Sequence, residues 1–338
     1  MSNVNLTRRQ FVRSAAGGVL AGLHLTWNPK NTLARSTPTR ALRIGLCADV
    51  HKDVIHDADR RLTTFVNGMT RKNADFIMQL GDFSSPYPKN RGFLDTWNSF
   101  ERPAYHVLGN HDADGGFTWE QTMAFYGMTK RYYGFDAGGC RFVVLDGNEK
   151  KKNRAPGYPR FIGPEQMAWL EAELDATDGP VFVFSHQSLH DAGGASVENF
   201  KNVQALFERT NKHAGYQKVV ASIYGHRHVD HHVNINGINY ICINSMSYYW
   251  VGKKFARTRF DERTEKACPW VRYTAPYRTP LYALVTIRPR EGTLSIEGRK
   301  TEFISPTLSQ IGCPARDGGG AAITPKIADR EIEFRRTT

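Results

Sequence analysis

Val219-Val220-Ala221-Ser222-Ile223-Tyr224 runs directly into Gly225-His226-Arg227-His228. A short, mostly apolar run of this length reads as a buried strand, and it stops at a glycine followed by two histidines spaced i, i+2. Working outward, the same arrangement recurs four times. Leu42 to Ala48 ends in Asp49-Val50-His51, Phe76 to Leu80 in Gly81-Asp82, Tyr105 to Leu108 in Gly109-Asn110-His111-Asp112, and Val181 to Ser185 in His186. Ligand sites of α/β folds gather beyond the carboxyl ends of strands, so these five sequence-distant clusters are expected to share one crevice.

The residue types in that crevice narrow its chemistry. Imidazole, carboxylate and a carboxamide oxygen together suit manganese, iron or zinc, whereas calcium takes all-oxygen ligation and structural zinc favours thiolates. In Asp49-Val50-His51 and His226-Arg227-His228 the i, i+2 spacing puts both side chains on one side of an extended segment. Glycines before Asp82, Asn110 and His226 let the backbone turn sharply and approach an ion. Five cysteines, at positions 47, 140, 242, 268 and 313, contain no C-x-x-C pair, so thiolate metal sites are not expected. Cys47 and Cys242 fall in apolar strands and read as packing residues, while Cys140, Cys268 and Cys313 leave room for one disulfide.

Between the clusters lie helical stretches at Ala58 to Thr70, Pro164 to Leu174 and Val197 to Thr210, with a further strand at Arg141 to Leu145. Two hairpin-like pairs follow: His231 to Ile235 with Tyr240 to Asn244 around Asn236-Gly237, and Leu281 to Arg288 with Thr293 to Glu297 across Glu291-Gly292. Strands outnumber helices, which predicts two packed sheets flanked by helices in one α/β domain over residues 41–304. Residues 246–280 are rich in Tyr, Trp, Arg and Pro without periodicity and read as an aromatic, basic insertion covering the site. Residues 305–338, with Gly318-Gly319-Gly320, read as an extended terminal tail. Of the remaining histidines, His56 and His190 are candidates to line the site, and His231 and His232 alternate faces of a strand.

The chain has 338 residues with a formal charge of +12, 40% hydrophobic and 23% charged residues, a balance that excludes a disordered or fibrous chain. The charge raises a nucleic-acid reading that depends on where the basic residues sit. Thr7-Arg8-Arg9-Gln10-Phe11-Val12-Arg13 precedes a weakly apolar stretch, Ser14 to Leu23, too short to span a bilayer of ~20 residues. It resembles a bacterial twin-arginine export signal covering residues 1–34, with Thr32-Leu33-Ala34 as cleavage site. Removing it deletes Arg8, Arg9, Arg13 and Lys30 and no acidic residue, which leaves +8. The expected product is periplasmic or secreted, with the twin-arginine machinery as its export partner and no stable nucleic-acid or membrane partner. The basic residues of 246–280 (Arg257, Arg259, Arg263, Arg272 and Arg278) are then expected to attract anionic substrates.

The series D-x-H, G-D, G-N-H-D, a lone strand-end His and G-H-x-H, in this order over residues 42–230, resembles the calcineurin-like metallophosphoesterase superfamily. The resemblance implies a four-layer α/β/β/α sandwich of two mixed sheets around two divalent or mixed-valence ions of manganese, iron or zinc. By the family pattern Asp49, His51, Asp82 and His228 hold the first ion. Asp82, Asn110, His186 and His226 hold the second, with Asp82 bridging. His111 is then the histidine that protonates the leaving group, oriented by Asp112. The histidine of Asp49-Val50-His51 argues against the purple acid phosphatase branch. The implied reaction is hydrolysis of phosphoric esters by a hydroxide shared by the ions, on small phosphomonoesters or phosphodiesters. His186-Gln187-Ser188-Leu189-His190-Asp191 and Val197-Glu198-Asn199 are also similar to manganese-dependent ADP-ribose/CDP-alcohol diphosphatases, which makes a nucleotide diphosphatase the alternative activity. A non-catalytic binding protein on the same fold is the alternative class, and it should lack part of the ligand set.

Overall fold

The computed structural model of the protein describes residues 40–154 and 156–334; the export segment expected at 1–34 lies outside them. Two six-stranded mixed sheets form the centre. The first runs in the order Arg330–Glu333, Thr293–Glu297, Ala283–Arg288, Leu42–Cys47, Phe76–Gln79, Ala104–His106. Its last three strands are parallel. The second runs Tyr133–Ala137, Cys140–Val144, Val181–Ser185, Val219–Tyr224, Ile238–Cys242, His231–Ile235, with the inner four parallel. Parallel strands covered on both faces read as continuous apolar runs, and Val219–Tyr224 is buried at every position. The edge strand His231–Ile235 instead alternates half-buried and exposed residues.

The inner faces of the sheets pack on each other through Ile44, Leu46 and Phe76 from one and Phe142, Phe182 and Phe184 from the other. Phe76 meets Phe142 edge to face at 5.3 Å, a favoured aromatic geometry. On the outer face of the first sheet, Cys47 and Ile77 pack with Leu62, Phe65 and Met69 of helix Ala58–Arg71 and Trp97 of helix Arg91–Asn98. On the second, Val183 and Val219 pack with Leu170 of helix Pro164–Asp175 and Leu206 and Phe207 of helix Phe200–Ala214. The molecule is thus a four-layer α/β/β/α sandwich, as the motif series implies. The parallel strands of both sheets deliver their carboxyl ends to one rim.

Several elements differ from the sequence reading. The helix expected from Val197 starts at Phe200, because Val197 N donates to the Ser188 carbonyl and Ser196 bridges Ser188. Helix Trp119–Tyr126, which the pattern reading leaves unassigned, begins with a reciprocal capping box between Thr118 and Gln121. Residues 305–334 are built into the domain instead of trailing from it. Arg330–Glu333 pairs with Thr293–Glu297, and Ile327, Ile332 and Phe334 join the inter-sheet core. All five cysteines are free thiols, so no disulfide forms among Cys140, Cys268 and Cys313.

Residues 246–280 carry a small two-stranded ribbon, Tyr248–Trp250 with Thr274–Pro276, and the short helix Glu262–Ala267. Arg61 fastens this segment to the first helix. Its guanidinium donates to the Tyr277 carbonyl at 2.5 Å and the Met246 carbonyl at 3.3 Å while pairing with Asp57. Arg61 is 1% exposed, so its removal leaves a void and unpartnered carbonyls. Arg61→Ala should lower unfolding free energy by about 2–4 kcal/mol, and Arg61→Lys should recover less than half of that loss because one ammonium cannot span three acceptors. Urea denaturation of the two variants measures both.

Candidate metal centre

Five loops meet at the common rim, and their backbones are laced together. Asp49 N donates to the Gly81 carbonyl at 3.0 Å and His51 N to the Asp82 carbonyl at 2.9 Å. Across the sheets, His226 N donates to the Asp49 carboxylate at 2.9 Å, and within the second sheet's rim Gly225 N donates to the His186 carbonyl at 3.2 Å. Two glycines make this closeness possible. A methyl group on Gly109 would run into the backbone N and Oδ1 of Asp82, and one on Gly81, at φ +92°, into the His186 ring.

The structure brings all seven expected ligand residues together. Asp49, His51 and His228 form one group, and Asp82, His186 and His226 a second. His228 Nε2 lies 3.2 Å from both Asp49 Oδ1 and His51 Nε2. In the second group His186 Nε2 lies 3.2 Å from Asp82 Oδ2, 3.1 Å from His226 Nδ1 and 3.1 Å from Asn110 Oδ1. Asp82 Oδ2 is also 3.5 Å from His51 Nε2, so this one carboxylate touches both groups. Donors held about 2.1 Å from one ion are separated by roughly 3.0 Å in octahedral and 3.4 Å in tetrahedral coordination, which these spacings match.

The ring orientations carry the same message. His186 Nδ1–H donates to the Leu80 carbonyl and His228 Nδ1–H to the Tyr248 carbonyl, each at 2.8 Å. A carbonyl can only accept, so Nδ1 carries a proton in both rings and Nε2 is the nitrogen turned inward, the arrangement that metal-ligating histidines adopt. The inward nitrogens and carboxylate oxygens then stand 3.1–3.2 Å apart, the spacing of donors around one cation. Burial holds the His51 and His226 rings well below their usual pKa, hence neutral. Burial works against ionised Asp82 too, but the histidines around it, His186 foremost, keep its pKa well below the carboxylate range. His186 is driven down by burial, yet Asp82 beside it wins and pushes it up to about 9. A positive charge belongs at that carboxylate.

Backbone strain concentrates at the same residues. Asp49, His51, Asp82, His226 and His228 all have φ between 50° and 67°. The other non-glycine residues in this region, among those described, are Asn73, Asn153 and Asn236, asparagine being the side chain that tolerates it. Left-handed backbone at ordinary residues costs about 1 kcal/mol or more each and persists where the surroundings over-determine it, typically at functional sites.

His111 and Asp112 separate in role. His111 N donates to Asp82 Oδ1 at 2.8 Å, and its ring lines the cavity over the donors, 5.4 Å from the His51 ring. The expected partnership with Asp112 is corrected: His111 Nδ1 is held at 2.7 Å by Asp114, whose other oxygen accepts from the Tyr158 hydroxyl. Adjacent residues in a tight turn point apart. Asp114, whose N closes a turn on the His111 carbonyl, returns to the same side. The Asp112 carboxylate is fully buried and accepts from Gly109 N and Phe83 N, both at 2.7 Å, bracing the loop from below. Sequence reading missed Asp114 and Tyr158; the i, i+3 spacing of His111 and Asp114 was the available signal for the first. It also missed Asn148, which donates to the Leu108 carbonyl and accepts from Gln187, tying the loops of Asn110 and His186 together.

A cavity of about 800 Å³ opens above the donors. Tyr248, Tyr249, Trp250 and Trp270 from the 246–280 segment line it. The arginines of that segment do not: Arg278 pairs with Glu302, Arg272 with Glu265, and Arg259 donates to the Pro306 carbonyl. His56 packs on Phe260 and His190 bonds the Tyr224 hydroxyl, so neither lines the cavity.

Gly109→Ala should therefore force Asp82 away from its donor position. Metal analysis of the purified variant is expected to show metal content below half of the wild-type value. Gly92→Ala, where a methyl meets nothing, should keep full occupancy and shift stability by less than about 1 kcal/mol.

Residues 42–230 match the family described as calcineurin-like phosphoesterase. No curated protein matches the chain in sequence. Among solved structures, a dimetal phosphatase from Danio rerio superposes with a TM-score of 0.55 at 17% identity, covering 79% of this chain and 99% of its own. GAP50, the anchor in the inner membrane complex of Plasmodium, superposes at 0.53 and 15% identity over 88% of this chain and 90% of its own. The fold is common to a phosphatase and an anchor, but the matched family spans more than half of the sequence and contains every donor described above. This chain belongs to the calcineurin-like phosphoesterases and is a metal-dependent phosphoester hydrolase.

Proposed function

We propose that the protein hydrolyses small phosphomonoesters or phosphodiesters at a pair of metal ions. Asp49, His51, Asp82 and His228 hold one ion, and Asp82, Asn110, His186 and His226 the other. The observation that carries this reading is the single carboxylate, Asp82, lying within 3.5 Å of the donor nitrogens of both groups. The mixture of imidazole, carboxylate and carboxamide fits manganese, iron or zinc. When bound, such a pair polarises phosphoryl oxygens and makes water a nucleophile near neutral pH.

The chain's own residues then divide the work. The buried loops fix the donors, so no reorganisation is needed as charge develops on phosphorus. His111, with Nδ1 tied to Asp114, has Nε2 left to give a proton to the departing oxygen. Tyr158 steadies that pair from the cavity wall through the second Asp114 oxygen.

His111→Ala should keep its metal, because His111 is in neither donor group, and lose about 100-fold or more in kcat on alkyl phosphates. On p-nitrophenyl esters, whose leaving group needs no proton, the loss should be under about tenfold. Equal losses on both substrates count against proton donation. Activity confined to diphosphate bonds replaces the ester reading with a diphosphatase.

We infer that the protein is exported, on the strength of Thr7-Arg8-Arg9-Gln10-Phe11 and the short apolar stretch after it. Among the described residues no helix is long and apolar enough to cross a membrane. Replacing Arg8 and Arg9 by lysine should leave the protein in the cytoplasmic fraction; unchanged fractionation removes the inference.

A further inference from the structure

Three large apolar side chains stand exposed among the described residues: Tyr158 at 43%, Trp250 at 44% and Trp270 at 53%. All three line the one cavity above the donors. Exposed apolar residues scattered singly need no explanation, but their confinement to one cavity marks a surface that a ligand covers.

The rings form a continuous track leading away from the metal groups. Tyr248 lies 5.1 Å from the His51 ring and 5.0 Å from the His228 ring. Trp250 follows at 6.4 Å from Tyr248, and Tyr273 joins Trp250 to Trp270 at 5.9 and 5.7 Å. On the far side Tyr158 packs 4.7 Å from His111. Phe83 and Tyr87 add further rings to the wall, Lys52, Asp53, Ser84 and Ser85 add polar groups, and Val54 is its sole aliphatic side chain. A site for an acyl chain is lined by aliphatic groups. Ring faces interleaved with hydrogen-bonding groups suit a flat ligand that carries donors and acceptors on its edge. At about 800 Å³ the space also exceeds what a phosphate and a small alcohol occupy.

We propose that the organic part of the substrate is a nucleoside, whose base stacks on the Trp250 and Trp270 wall while its phosphate meets the metal groups. This rests on the hydrolytic reading only in placing the phosphate. Recognition comes from the rings and not from the arginines of the same segment, none of which lines the cavity. Polymer binding driven by the basic residues is therefore not what the cavity provides.

The test uses the full-length, manganese-loaded protein and substrate pairs that differ by a base: AMP against ribose 5-phosphate, and thymidine 5′-(p-nitrophenyl phosphate) against methyl p-nitrophenyl phosphate. In whichever pair is hydrolysed, kcat/KM should favour the nucleoside by about tenfold or more. Trp250→Ala and Trp270→Ala should each reduce that preference by about threefold or more, through KM more than kcat, and Trp→Phe should restore most of it. A preference near one in the wild type, or one that both alanine variants leave unchanged, overturns the proposal. So does tighter competition by octyl phosphate than by AMP. If no ester is hydrolysed, the hydrolytic reading fails separately, and tryptophan fluorescence decides the stacking. Saturable quenching by AMP but not ribose 5-phosphate, lost in Trp250→Ala/Trp270→Ala, supports it; equal responses to both overturn it.

Discussion

Seven donor groups packed rim to rim, their nitrogens and oxygens little more than 3 Å apart, crowd lone-pair and negative charge that a cation relieves. Nothing within the protein alone relieves that contact except protons, and protons are what His186 gains beside Asp82. The remainder of the fold can be understood as the apparatus that holds this arrangement against its own electrostatics. The donors sit on segments just past parallel strands, whose hydrogen-bonded registers fix the loop origins. They come from both sheets, so the inter-sheet core around Phe76, Phe142 and Phe182 sets the distance between the two halves of the site. Left-handed backbone at five donors adds a local energy cost that the cores must offset.

Beneath the donors lies a second set of buried polar groups whose work is mechanical. Asp112 gathers two N–H groups from the loops that carry Asp82 and Asn110. Burial and the neighbouring Asp82 charge push its pKa up to about 7 despite those two bonds, so its presence is costly. Arg227, between the two histidines of the last loop, is held from the C-terminal segment by a bidentate pair with Asp317. Asp317 in turn caps its own loop through Gly319 N and Ala321 N. The segment after residue 305 thereby helps to immobilise a donor loop more than 75 residues earlier in sequence. Side chains on either side of a ligand can thus face away from the ion and still determine where it binds.

The donor set was legible in the sequence because its physics is local: a strand must end, and a glycine, aspartate or histidine at that end is visible in the chain. The strands flanking these residues were equally plain, since burial on both faces leaves runs such as Val219–Tyr224 mostly apolar. What was not legible depends on direction or on distant partners. His111 is followed immediately by one carboxylate and at i+3 by another. Only the turn geometry tells that Asp114 and not Asp112 reaches the ring. The C-terminal segment looked unpatterned because an edge strand buries one face alone, and Arg330–Glu333 has just one fully buried residue. The basic insertion showed the opposite difficulty: its composition announced charge, yet none of its arginines lines the cavity while Tyr248, Tyr249, Trp250 and Trp270 do.

The same sandwich is found in a protein described as a phosphatase and in one described as an anchor, at identities that establish the fold alone. Activity must therefore be argued from the site. A structural metal site closes its coordination with protein ligands and is sealed by packing, whereas a catalytic site keeps a face open to substrate. Here the donors are buried from below and from both sides, but His51, Asp82, His226 and His228 all line an open cavity of about 800 Å³. His111 stands in that cavity outside both donor groups, its side chain 41% exposed and its Nδ1 occupied by a carboxylate that leaves the other nitrogen free. The proposed hydrolysis uses such an open face, with His111 beside it as the proposed proton donor. An enzyme that must admit a phosphate, hold it still and release an alcohol requires both, and the strain stored at the donors secures the geometry in which that can happen.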